Sequence, residues 1–187
     1  MSRGNVGASL LALDAGVRKT GWAILGSGRQ VSTGMIGMKG RRGIDAPARL
    51  AHMVAKLDQL ADEWRPAAVA HSRPSGIHWP VPALELLETA LFDWGLRRGL
   101  QVYAYTTQEV RNAATGHPNS SKDELAYAVM VGLGLIGAEK NAQEWEAIAV
   151  GRYHTAKQRA KQRANRLSAP VPANLPESSY GKNHEPL

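Results

Sequence analysis

Hydrophobic positions along this chain repeat with two periods, and the switches between them divide it into strands and helices. Leu10 to Leu13 is an unbroken apolar run closed by Asp14, and with the glycine-punctuated runs behind it this predicts strands over 9–14, 20–26 and 30–38. Gly26-Ser27-Gly28 reads as the hairpin turn between the second and third. From Pro47 the period changes: Leu50, Met53, Val54, Leu57, Leu60, Ala61 and Trp64 keep the spacing of one buried helix face, and Pro66 ends it. Ala67 to His71 reads as a buried strand finishing on a polar residue, with a loop from Ser72 to Pro82 behind it. A helix over Ala83 to Arg98, closed by Gly99, turns Leu84, Leu87, Leu91 and Trp94 to one side. Leu100 to Tyr105 is a further strand. Thr106 or Thr107 caps a short helix with Glu109 in its first turn, and Ser121 with Glu124 makes a capping box for a helix reaching about Leu135. The last helix runs from Asn141 to about Arg163. Three meandering strands followed by alternating helices and strands predict an α/β fold, a mixed five-stranded sheet with helices on both faces.

Composition narrows what such a fold is for. A chain of 187 residues is one domain able to bury its own core, and the absence of cysteine excludes disulfides, zinc–thiolate sites and thiol catalysis, with the cytoplasm as the natural compartment. No signal peptide or spanning run is visible, so no membrane partner is expected. Residues 1–8 read as a flexible leader, 9–154 as the folded domain, and 155–187 as a basic helical extension with a disordered tail carrying Pro170, Pro172, Pro176 and Pro186. A formal charge of +7 favours an anionic partner, nucleic acid first. That charge is concentrated. Arg152, Lys157, Arg159, Lys161, Arg163 and Arg166 follow one another with no acid before Glu177, which reads as an arm tracking nucleic acid.

Asp14 stands at the carboxyl end of its strand, where open α/β sheets collect ligand sites, although an Asp just before a glycine also serves as a turn cap. Four local patterns, in order, then carry a resemblance. They are Leu13-Asp14-Ala15-Gly16 with Lys19-Thr20-Gly21-Trp22, Glu109-Val110-Arg111 with Thr115-Gly116, Lys122 at a helix start, and Glu146-Ala147-Ile148-Ala149-Val150 with His154. Over about residues 9 to 154 the chain resembles the RuvC-type Holliday-junction resolvases, and the resemblance implies an RNase H-like fold. It also implies a homodimer that nicks two strands of a four-way DNA junction by phosphodiester hydrolysis, with Mg²⁺ or Mn²⁺ held by four acidic positions.

Two of those four positions are altered. The resemblance aligns the metal and catalytic set with Asp14, His71, Gln143 and Glu146, so two carboxylates remain, His71 and Gln143 replacing the others. Imidazole suits Mn²⁺ better than Mg²⁺, and Gln143 still offers a carbonyl oxygen. Glu144 lies about 100° further round the helix and would need a local shift to replace Gln143. His71 reads equally as an ordinary hydrogen-bonded strand-end residue, and His154 as a half-buried structural one. For DNA contact the candidates are Arg18 and Lys19 beside Asp14, Arg73 in the following loop with Trp79, Arg111 and Lys122 at positions matching the family, and Lys157, Arg159, Lys161 and Arg163 on the arm. Three readings stay open: a junction nuclease with a reshaped site, a relative that binds branched DNA and cuts feebly or not at all, and a phosphate-binding ATPase-like protein. The last would need a second lobe and a second Asp-x-Gly loop.

Overall fold

The runs of period two become the strands β1 (Ser9–Asp14), β2 (Lys19–Gly26), β3 (Arg29–Gly37), β4 (Ala68–Arg73) and β5 (Gln101–Thr106). The runs of helical period become α1 (Ala46–Trp64), α2 (Pro82–Arg97), α3 (Thr107–Thr115), α4 (Lys122–Leu133) and α5 (Ala142–Leu167). The computed structural model describes residues 9–16, 18–26, 29–37, 45–74 and 81–168. The expected leader, the turn residues Ser27 and Gly28, the basic loop from Lys39 to Gly43, Trp79 and the proline-bearing tail lie outside them.

The strands form one sheet in the order β3-β2-β1-β4-β5, antiparallel across β1, β2 and β3 and parallel from β1 through β4 to β5. β1 is thus central, and its apolar run is explained by burial on both faces. Alternate residues serve different cores. Leu11, Leu13, Ile24 and Val69 pack on α1 and α2 through Met53, Leu57, Leu87, Leu91 and Trp94. Leu10, Ala12, Leu25 and Ala70 pack on α3, α4 and α5 through Val110, Leu125, Val129, Trp145 and Ile148. The anticipated capping box of Ser121 with Glu124 is formed, and of the two threonines it is Thr106 that caps α3, making a second box with Glu109.

Two boundaries differ from expectation in ways that matter. β4 does not stop at His71; Ser72 and Arg73 continue it, because Tyr105 and Thr106 of β5 are there to pair with them. The final helix runs on to Leu167.

Candidate active site at the end of the central strands

Strand register decides what surrounds Asp14. On one side β2 sets Gly21 opposite it, and on the other β4 is paired in parallel with Leu13 level with His71. Side chains alternate across a strand, so Leu13 and His71 share one face while Asp14 and Ser72 share the other. The Ser72 hydroxyl donates to Asp14 Oδ1 at 2.9 Å.

Gly21 brings the second carboxylate. A Cβ at Gly21 would collide with the backbone carbonyl of Gln143 in the first turn of α5, so only glycine lets that helix lie so close to the sheet. One turn on, Glu146 is 6% exposed and reaches hydrogen-bond range of Asp14. Its Oε1 accepts from the Arg111 guanidinium at 3.1 Å and its Oε2 from Lys122 Nζ at 3.2 Å. Burial and the neighbouring Glu146 push the Asp14 carboxyl up to about 7, against the Ser72 hydrogen bond and Lys122. Burial also pushes Glu146 up, but the hydrogen bond with Asp14, Lys122 and Arg111 outweigh it and hold that carboxyl below its ordinary value. The two titrate as a pair that shares a proton near neutrality, with the remaining charge balanced by two cations.

His71 is not part of this cluster. Its ring lies on the α2 face of the sheet beside Glu88, Thr89, Phe92 and Asp93, with Nδ1 3.1 Å from the Ser72 carbonyl. It is 4% exposed, and burial lowers its pKa. The expected second ligand position is therefore taken by Ser72, which strand alternation puts where His71 had been placed. Glu144 is also corrected. Its carboxylate turns back to accept from the backbone N–H and the side-chain amide of Asn141, both at 3.0 Å, closing the start of α5. His154 is held elsewhere, 2.9 Å from the Tyr105 hydroxyl and against the Tyr103 ring.

Gln143 shares the Glu146 side of α5, one turn before it. Arg18, Lys19 and Arg73 are exposed at the same sheet edge as Asp14. Arg111 and Lys122, expected at a DNA backbone, are both engaged by Glu146. Ser72 and Gly21 escaped sequence reasoning as site residues. A glycine inside a strand was the available signal for close backbone approach; nothing local marked Ser72.

Among the described residues no group of three His, Cys, Asp or Glu side chains comes together to hold a metal. What is present, two crowded carboxylates of which burial and Glu146 raise Asp14 toward neutrality, suits one divalent ion that completes its shell with water and substrate oxygen. It does not suit the two ions that four carboxylates would hold.

Residues 10–154 match the family model described as Crossover junction endodeoxyribonuclease RuvC. Among curated relatives, a protein of that name from Chlorobium chlorochromatii is 26% identical over 147 residues, 75% of this chain and 76% of the relative. One from Parafrankia sp. is 27% identical over 179 residues, 92% of this chain and 98% of the relative. The fold matches Thermus thermophilus RuvC with a TM-score of 0.68 at 22% identity, over 82% of this chain and 96% of that one. The same protein in complex with Holliday junction substrate gives 0.67.

Proposed function

Since the chain belongs to the RuvC family of crossover junction endodeoxyribonucleases, we propose that it resolves four-way DNA junctions by metal-dependent phosphodiester hydrolysis, with one Mg²⁺ or Mn²⁺ bound between Asp14 and Glu146. The observation that carries this is the meeting of those two carboxylates at the carboxyl end of the central strand, with Arg111 and Lys122 on Glu146. A divalent ion bound there supplies an activated water and offsets charge on the leaving oxygen.

The chain's own residues do the rest. Asp14 and Glu146 are the hard-oxygen donors, and Gln143 adds a carbonyl oxygen from the same side of α5. Ser72 restrains Asp14 by its hydrogen bond. Lys122 and Arg111 balance Glu146 before the ion binds; with substrate present they are in position to meet scissile-strand phosphate oxygens. Arg18, Lys19 and Arg73, exposed at the same edge, contact the DNA backbone. Such contacts carry no sequence information, so selectivity comes from junction shape. Two copies would be needed to cut two strands symmetrically. An exposed row on α2 that includes Phe92 (61%) and Leu96 (72%) supports a homodimer through that helix. The protein would work beside the DNA in the cytoplasm.

A second reading, junction binding with little cutting, is favoured by the same cations: Glu146 is already neutralised, and Ser72 and Gln143 bring no negative charge. A nicking assay on a labelled four-way junction, with linear duplex and flap controls, in Mg²⁺ and separately in Mn²⁺, decides between them. Paired, junction-selective nicks lost in Asp14→Asn are expected. Selective binding without nicks in either metal establishes the second reading.

A further inference from the structure

The first half of α5 builds the site, and its second half leaves it. The helix starts against Gly21 and Asp14 and runs back along the sheet, so that Thr155, Gln158 and Gln162 line a cavity with Ser9, Ala67 and Ala68 at the beginnings of β1 and β4. Lys161 is 15 residues past Glu146, or about 22 Å along the axis at 1.5 Å per residue. Beyond Gln158 every described residue of the helix is exposed.

The positions round this extension are ordered. Arg159, Arg163 and Arg166 recur at i, i+4 and i+7 and make one row; Lys157 and Lys161 make another, about half a turn away. Thr155, Gln158 and Gln162 take the side facing the sheet. Between the two cationic rows, on the opposite side, lies a ridge of Ala160, Ala164 and Leu167, all exposed. Lys161, Arg163 and Arg166 make no ion pair among the described residues. Lys157, at the base of the extension, is 3.6 Å from Glu109 and lies over the Tyr105 and Tyr153 rings, and Arg159 lines the cavity. Beyond them Lys161, Arg163 and Arg166 bring three more positive charges onto an exposed helix, and like charges one turn apart cost a few tenths of a kcal/mol that a polyanion would offset.

We infer that the α5 extension is a second DNA contact, docking lengthwise in the major groove of a duplex arm about seven base pairs from the cut. The major groove admits one α-helix between two walls of phosphate. A low ridge lets the helix approach the groove floor, and a cationic row on each flank meets a wall. Ala160, Ala164 and Leu167 carry no group able to read a base by hydrogen bonding, so the contact is indifferent to sequence. The inference rests on the junction-binding reading above, and the test separates them.

The test compares the full chain with a Lys161→Gln, Arg163→Gln, Arg166→Gln variant on junctions with arms of 15 and of 4 base pairs. On long arms the variant should bind roughly a few hundredfold more weakly at 0.1 M salt, and its log K against log salt slope should flatten by about 2.7, three phosphate contacts at ~0.9 each. On short arms the two proteins should bind and nick alike. Methylation of guanine N7 about seven base pairs from the cut should interfere with the full chain and not with the variant. An unchanged slope, an equal loss on short arms, or flattening without N7 interference would each overturn groove docking. Loss of selective binding by both proteins on every junction would instead overturn the function proposed above.

Discussion

At the level where β1 gives way to its turn, the two faces of the sheet are built from adjacent residues and do opposite things. On the α5 face, Asp14 and Ser72 meet Glu146, Arg111 and Lys122, a cluster of charges held partly open to solvent. On the α2 face, Leu13 and His71 are buried beneath α1 and α2, one in the core and one hydrogen-bonded to the neighbouring backbone. The difference is a single step along each strand. At this edge a residue joins the candidate site only when the pleat turns it toward α5.

The contrast is broken most severely by removing a carboxylate. Glu146→Gln or Asp14→Asn should lower the nicking rate by about 10³-fold or more, on the order of 4 kcal/mol of transition-state stabilisation, with junction binding in a gel shift preserved. Undiminished nicking would put the chemistry off this face.

Next in size is a stability effect read without metal. Burial and Glu146 raise the folded Asp14 pKa to about 7 from 3.8. The folded state therefore holds a proton that the unfolded chain has released, and the stability this contributes is full below about pH 4 and lost as pH rises toward 7. In chelator, Asp14→Asn should be more stable than the parent by about 2 kcal/mol at pH 8, with the gap closing toward pH 4. Parallel pH profiles by thermal denaturation would show that Asp14 is not under this strain.

Smaller, and sharper, is Ser72→Glu. A carboxylate at the position level with Asp14 should tighten Mn²⁺ binding about tenfold, or ~1.4 kcal/mol, in an EPR titration. His71→Glu, one residue away and facing α2, should not. Equal gains from both would contradict the register argument. The smallest effect belongs to His71→Ala, which should leave the Mn²⁺ titration and nicking rate within about twofold while costing about 1 kcal/mol in urea unfolding, the loss of a buried hydrogen bond and its packing. A large loss of metal affinity would return His71 to the site.

Much of the fold was legible because its signals are local. Periodicity and chain breakers located the strands and the longer helices, and capping residues followed by glutamate located the starts of α3 and α4. The end of β4 was misplaced because Ser72 and Arg73 are polar and precede prolines, which reads as loop; they are strand because Tyr105 and Thr106 supply the missing hydrogen-bond partners. Half of the candidate site was legible for a similar reason. Asp14 terminates its own strand and Glu146 sits in an apolar helix, so each stands out against its neighbours. Ser72 and Gly21 do not, since their meaning lies in what approaches them from α5 and β1.

By itself the sequence determined the order of elements, the two core faces, the carboxylates at Asp14 and Glu146, and a cationic helix after the last apolar turn, all consequences of spacing along one segment. Tertiary structure alone decided that Ser72 rather than His71 flanks Asp14, that Glu144 is spent on a helix cap, and that Arg111 and Lys122 converge on Glu146 from 35 and 24 residues away. Those outcomes depend on inter-strand register and on how closely α5 can approach Gly21. Both are set by contacts between distant segments, and a shift of one residue in either would have turned a different set of side chains toward the site.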